Sequence, residues 1–263
     1  MPGRGLSRPG RWLVPGLAVA GVGALMTTRD GGISRPPYAS MNLGGAAGDL
    51  PDSVAANRAR FAEACSAAPV YLGQVHGARV VHVAAADARA GAATHEADAS
   101  VTTEPGVACT VLVADCLPVL FAAPGGRAVG AAHAGWRGLA AGVLEASVDA
   151  VCDAARCEAA ELHAWLGACI GPGAFEVGAD VLQAFGADPG DPHPIGFRPH
   201  RTGKWLADLP SLARARLAAS GVRHVGGGAW CTATDAARFF SYRRDGVTGR
   251  MAAAVWIAGR GDA

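Results

Sequence analysis

The chain has almost no net charge and almost no lysine. Lysine and arginine together number 23 against 22 aspartates and glutamates, a balance of +1 at pH 7. A broad cationic face for nucleic acid or another polyanion is therefore not expected. Lys204 is the single lysine, and this bias reads as composition, without functional weight. No Cys-x-x-Cys occurs, and seven cysteines cannot all pair. Reduced thiols in a cytoplasmic protein are the expectation. No apolar run is long enough for a bilayer, which needs about 18 residues or more. The nearest approach, "WLVPGLAVAGVGALM", follows Arg4, Arg8 and Arg11 and has the outline of a secretory leader. Pro15 and several glycines interrupt it, so it is read as a buried strand, "LAVAGVGALMTTR", behind a disordered leader at residues 1–10. No membrane or nucleic-acid partner is expected.

What remains is a chain of 263 residues that is 51% hydrophobic and 17% charged, the profile of one large or two small globular units. Much of the apolar content is alanine, which blurs helix against strand. Asp52 and Ser53 are N-cap candidates for a helix through "VAANRARFAEAC". "APVYLGQVH" and "ARVVHVAAA" read as two strands around a turn at Gly77. β-Branched runs at 107–113, 119–122 and 128–132 predict three more strands, separated by Glu104-Pro105-Gly106 and Pro124-Gly125-Gly126. "GLAAGVLEASVDAVC" carries a helical stripe of Leu139, Val143, Ala146 and Ala150. "ELHAWLGACIGP" is a strand, "VGADVLQAF" a short helix, and "GADPGDPHPIGFRPHRTGK" a Pro/Gly-rich loop. "LADLPSLARARLAASG" is a helix with Leu206, Leu209, Leu212 and Leu217 inside and Gly221 as its stop. "VRHVGGGAW", "AARFFSYRR" and "RMAAAVWIA" close the chain mostly as strand. With no repeat and no linker, the reading is one α+β domain over residues 11–263, its mixed sheets packed between helices.

Three residues combine ligand chemistry with strand-end placement. Asp115 and Cys116 follow an apolar strand in "VLVADCLPV", and His133 ends the next strand in "AAHAGWRG". Antiparallel neighbours would bring those ends together. His76 sits at a turn in "GQVHGARV". A Cys/His/His set suits zinc with a fourth position left for water or substrate, although the spacings alone are weak. Each residue has an ordinary alternative: a buried core thiol for Cys116, a turn histidine for the other two, and a loop cap for Asp115. Other motifs are incomplete. "THEADAS" lacks the second histidine of a zinc-protease helix, and no phosphate-binding glycine loop occurs. Arg29, Arg137, Arg243 and Arg244 lie in loops beside glycine or polar residues. They are either phosphate clamps or surface charges.

Taken in order, "TTRDGGIS…PYASMNLG", "NRARF", "QVHGARV", "ADASVT", "ADCLPV", "HAGWRGLAAGVLE", "LGACIGP…FEVG" and "CTATDAARFFSYRRDGVTGRMAAAVW" resemble the YfiH-type laccase-domain family. That family is also called multicopper polyphenol oxidase-like and is regarded as purine nucleoside phosphorylases. The resemblance runs from about Ala18 to Ala258. It implies an α+β fold and puts metal ligands, usually zinc, at His76, Cys116 and His133, with copper possible in the same place. It implies phosphorolysis of adenosine, inosine and guanosine, with deamination of adenosine and cleavage of methylthioadenosine as further activities. Arg29, Asn42, Arg58, Asp115, Arg137 and Arg243 fall in family motifs. Asp115 and Arg137 are the expected catalytic residues, Asp115 as the carboxylate that would shuttle protons in deamination, with Glu176 behind it. Arg29, Asn42, Arg58 and Arg243 are expected to bind substrate. The expected partners are purine nucleosides and phosphate, in a monomer or homodimer. One loop departs from the pattern: Ala168 and Gly173 stand where proline and cysteine are usual, and Cys169 lies four positions before the usual cysteine. Two other chemistries remain open. A multicopper oxidase would need many imidazoles, and no His-x-His pair occurs among eight histidines. A cysteine hydrolase would use Cys116 as nucleophile and His133 as base.

Overall fold

The computed structural model describes residues 12–89, 91–191 and 194–259. The expected leader at residues 1–10 lies outside them. The elements are β1 (Val22–Met26), α1 (Pro51–Cys65), β2 (Ala68–Tyr71), β3 (Val80–His82), β4 (Ala99–Thr102), β5 (Val107–Val113), β6 (Leu117–Ala122), β7 (Val129–Ala134), α2 (Trp136–Ala140), α3 (Val143–Ala155), β8 (His163–Leu166), β9 (Glu176–Val177), α4 (Ala179–Ala184), β10 (Phe197–Arg201), β11 (Lys204–Ala207), α5 (Leu209–Ala219), β12 (His224–Gly227), α6 (Tyr242–Asp245) and β13 (Met251–Ile257).

Two mixed sheets form the centre. One has the order β1-β13-β5-β2 and the other β12-β8-β6-β7-β4-β3; a small third sheet, β10-β11-β9, stands apart. β2 pairs with β5, β3 with β4 and β12 with β8 in parallel, and the remaining pairs are antiparallel. Side chains alternate across each strand and so sort into layers. On β13, Met251, Ala253 and Val255 point into the space between the sheets, while Ala252 and Ala254 pack toward Phe61 of α1. On β6, Leu120 and Ala122 share that central space, while Leu117, Val119 and Phe121 meet α3 and α5 on the far side. The result is helix, sheet, sheet, helix, as an α+β domain requires. Small residues set the spacing. A Cβ at Gly130 on β7 would sit 2.9 Å from Val151 Cγ2, so α3 lies hard against the sheet.

Several sequence expectations change. The strand expected over 17–29 shortens to β1, because Ala18 and Gly21 take positive φ just before it. α1 starts at Pro51 with Leu50 at the cap, so Asp52 and Ser53 lie inside its first turn. A proline at the first helical position needs no donor there. The strands on either side of Gly77 are not a hairpin, since β2 and β3 belong to different sheets. The long helix after His133 breaks at Gly142 (φ 93°) into α2 and α3. Its buried stripe is Val143, Leu144, Ser147, Val148 and Val151, with Ala146 and Ala150 half-exposed. The Pro/Gly-rich segment holds the β10–β11 hairpin. Leu206 belongs to β11, and α5 begins after Asp208, whose side chain accepts from Ser211 N at 3.0 Å. "AARFFSYRR" is turns followed by α6, capped by the Ser241 hydroxyl.

Candidate metal centre and active site

The chain crosses from one large sheet to the other twice near the same end. The first crossing links β2 to β3 and carries His76, which takes a left-handed φ of 63°. The second links β5 to β6 and carries Asp115, with φ 96°, and Cys116. The β6–β7 register then decides the rest: Pro118 faces His133, and Leu117 faces Ala134. His133 thus ends up at the side of the residue that leads into β6. The ligand atoms of His76, Cys116 and His133 all lie within 4.8 Å of one another, the one such cluster among the described residues. Cys116 Sγ is 3.8 Å from His76 Nε2, and the two imidazoles meet edge to face at 4.8 Å between centroids. His133 is buried, Cys116 intermediate and His76 exposed, so the cluster opens to solvent on the His76 side.

A residue absent from the sequence reading holds this arrangement. Asp98 is fully buried directly before β4. Its Oδ1 accepts from His133 Nδ1 at 2.8 Å and from His76 N at 2.9 Å, and its Oδ2 accepts from Gly77 N at 2.7 Å and Val75 N at 3.1 Å. With Nδ1 held by Asp98, His133 turns Nε2 toward the cluster, the carboxylate–histidine arrangement usual behind metal ligands. Burial, which would raise the Asp98 carboxyl, is outweighed by these hydrogen bonds, and it titrates below its ordinary value. Burial also opposes the charged forms of Cys116 and His133. Their mutual attraction, with Asp98 behind one and His76 beside the other, prevails. It holds the Cys116 thiol down to about 6 and pushes His133 up to about 9.

The "AAHAGWRG" glycines have specific neighbours. A Cβ at Gly135 would lie 2.9 Å from Cys116 Sγ and 3.0 Å from His76 Cδ2, and one at Gly138 would lie 2.7 Å from the Gly77 carbonyl. Both positions demand the smallest residue, since α2 lies directly on the cluster. Trp136 packs against the apolar core, and the exposed Arg137 lies over its ring at 4.3 Å.

Asp115 accepts from Thr232 Oγ1 at 2.5 Å and from Arg243 N at 2.7 Å, which ties the Cys116 turn to the segment after β12 and to α6. The exposed Arg243 also donates to the Glu176 carbonyl at 2.8 Å. The Glu176 carboxylate itself is turned to Arg201, at 2.6 and 2.7 Å. The other three candidates are held by backbone. Arg29 donates to the carbonyls of Ala39 and Ala236. Arg58 donates to the Leu43 carbonyl and covers the Tyr71 ring at 4.0 Å. Asn42, fully buried, accepts from Gly44 N and Arg250 N.

A thiolate and two imidazoles, one of them oriented by a buried carboxylate, form a donor set that fits zinc or copper. Residues 23–258 match the family described as multi-copper polyphenol oxidoreductase laccase. The chain belongs to that family. One curated relative, purine nucleoside phosphorylase PA4543 of Pseudomonas aeruginosa, is 48% identical over 247 residues, covering 94% of this chain and 98% of its own length. The purine nucleoside phosphorylase YfiH of Escherichia coli K12 is 48% identical over 239 residues, covering 90% and 94%. Protein NMB0706 of Neisseria meningitidis superposes with a TM-score of 0.85 at 45% identity, over 95% of this chain and all of that one. The mixed sheets and single domain are therefore the fold of the family. Copper enters through the family's descriptive name. Among the described residues a single three-donor cluster is present, not the several an array of copper centres would need.

Proposed function

We propose that the chain is a purine nucleoside phosphorylase that works with zinc held by His76, Cys116 and His133. The observation that carries this reading is the three-donor cluster backed by Asp98 and open to solvent on one side. The names of relatives at 48% identity across nearly the whole chain point the same way. The substrates are adenosine, inosine and guanosine, with methylthioadenosine cleavage and adenosine deamination as side activities. Copper could replace zinc on the same ligands. No helix among the described residues is long and apolar enough to cross a membrane, and all seven cysteines are free. We place the enzyme in the cytoplasm, as a monomer or homodimer with a full ligand set in each chain.

In phosphorolysis a phosphate oxygen bonds to the sugar C1′ as the bond to purine N9 breaks, and the purine leaves with a proton. The metal, when bound, supplies Lewis-acid polarisation of a substrate atom. The chain's own groups do the rest. Arg137 and Arg243, both exposed, would grip phosphate through paired N–H donors. Asp115 would exchange the proton while fixing Arg243 through its backbone N–H. Arg29, Asn42 and Arg58 would shape the substrate wall by holding its backbone in place.

The test is elemental analysis of the purified protein, followed by incubation with adenosine and inosine with and without phosphate. Free base and ribose 1-phosphate that form only with phosphate, and vanish in His76→Ala and Cys116→Ala, are the expected result. A second reading follows from the Cys116 thiol lying beside His133, a nucleophile with its base in a cysteine hydrolase. Base release undiminished after complete metal removal, and abolished by thiol alkylation, would overturn the phosphorylase reading in its favour.

A further inference from the structure

Cys169, beyond β8, and Cys231, beyond β12, are direct partners in a short parallel bridge. Thr232 N donates to the Cys169 carbonyl at 2.8 Å and closes it. Bridge partners carry their side chains on one face, and the neighbours agree. Ala168 and Trp230 pack between the two large sheets, while Cys169 and Ala233 pack on the helical side. Partners on adjacent strands lie about 4.8 Å apart, within the roughly 4.4–6.8 Å Cα separation of disulfides.

The two sulfurs differ in environment. Cys169 is fully buried, and burial pushes its thiol well above the ordinary value. Cys231 is half-buried and starts a turn, its carbonyl accepting from Asp235 N at 3.1 Å. Its Sγ accepts from Gly171 N at 3.2 Å, and the Ala233 and Thr234 N–H groups and the Thr234 hydroxyl are directed at it as well. Burial alone would raise this thiol, but the converging donors lower it below the ordinary range. Gly171 makes the approach possible, since a Cβ there would sit 3.0 Å from Cys231 Cβ. Reactive redox thiols have low pKa, partial access and a neighbouring resolving thiol. Among the described cysteines, Cys231 has all three away from the metal cluster.

We propose that Cys231 is a hydroperoxide-reactive thiol and Cys169 its resolving partner, the two forming a reversible disulfide beside the Asp115 turn. The Cys231 thiolate attacks the peroxide, taking one oxygen and, with a proton, giving a sulfenic acid and an alcohol or water. The Cys169 thiol then displaces that oxygen as water, and the S–S bond forms. A small-molecule dithiol returns both thiols. Both segments touch Asp115: Ile170 N donates to its carbonyl at 2.9 Å, and Thr232 Oγ1 to its carboxylate at 2.5 Å. The disulfide would fasten together the two strips of chain that hold that turn.

The test uses the full-length, metal-loaded protein, stoichiometric hydrogen peroxide, and peptide mapping without reduction. The expected result is a 169–231 cross-linked peptide, two hydrogens lighter, formed before the other cysteines change and reversed by dithiothreitol. In Cys169→Ser, Cys231 should be trapped as the adduct of a dimedone-type sulfenic acid reagent. Cys152 and Cys157 are an internal control. Their thiols are within hydrogen-bond reach of each other, but burial and nearby carboxylates raise both, Cys152 to about 12. A 152–157 link forming first, or Cys231 left reduced while other cysteines oxidise, would overturn the proposal. The readout is mass, so its failure is separate from any failure of the phosphorylase assay.

Discussion

Asp98 receives four hydrogen bonds at a site where the sequence shows only "EADAS". It fixes the ring of one ligand and the backbone of another. Asp98→Ala should weaken zinc binding by about 10–100-fold, as loss of an outer partner of a ligand usually does; competition against a chromophoric chelator would measure it. Gly135→Ala should go further, because the new methyl group has nowhere to go but onto Cys116 Sγ and His76. The purified variant should contain well under one metal per chain by elemental analysis while its circular dichroism stays native. The three donors that the fold gathers were legible because thiol and imidazole are rare side chains in conspicuous motifs. Asp98 was not, since a single sequence does not mark which of many aspartates is buried. The sign that could have found it is an acidic residue directly before a short run of small and β-branched residues, Ala99–Thr102.

Among elements, legibility followed burial. β5 runs Val107–Val113 as the β-branched run indicates, because a strand covered on both faces writes its whole length in apolar residues. The β10–β11 hairpin reads as loop in the sequence because most of β10 is exposed and Pro199 lies within it. Thr202-Gly203, with Gly203 at φ 68°, was the available turn signal. α6 reads as strand in the sequence on the strength of its aromatic neighbours, although Ser241 before it is a good cap. Its Arg244–Asp245 pair makes a pH test. Arg244 holds the carbonyls of Thr232, Ala233 and Phe239, and the hydrogen bond from Arg244 keeps Asp245 below the usual carboxylate range. A carboxyl depressed in the folded state stabilises above its unfolded pKa, about 3.9 for Asp, and that stability is lost as pH falls through the folded value. Asp245→Asn should therefore lower the melting temperature at pH 7 by an amount set by about 1 kcal/mol or less, and the difference should fade below about pH 4. Removing the α5 cap in Asp208→Ala should cost about 0.5–2 kcal/mol in urea unfolding at pH 7.

For the whole molecule, the cluster joins the two large sheets. His76 and Cys116 both stand where the chain passes from one sheet to the other, so an ion bound there ties the halves of the sandwich together. Zinc at about 100 times its dissociation constant adds roughly 2.7 kcal/mol. At about 2–4 °C per kcal/mol for a domain of this size, melting should rise by about 5–10 °C in calorimetry. Cys116→Ala should remove that response.

The β6–β7 register carries a consequence for how the chain assembles. Cys116 and His133 meet across a hairpin of consecutive strands, whereas His76 must be brought in from an earlier segment that belongs to neither. Contacts of short sequence separation close first, since the loop entropy they cost is small. Loop entropy therefore favours the pairing of these two donors ahead of His76. A nascent chain would already offer a weak, two-coordinate foothold for an ion during synthesis. The late arrival of His76, carried in on Asp98, would then turn that foothold into capture.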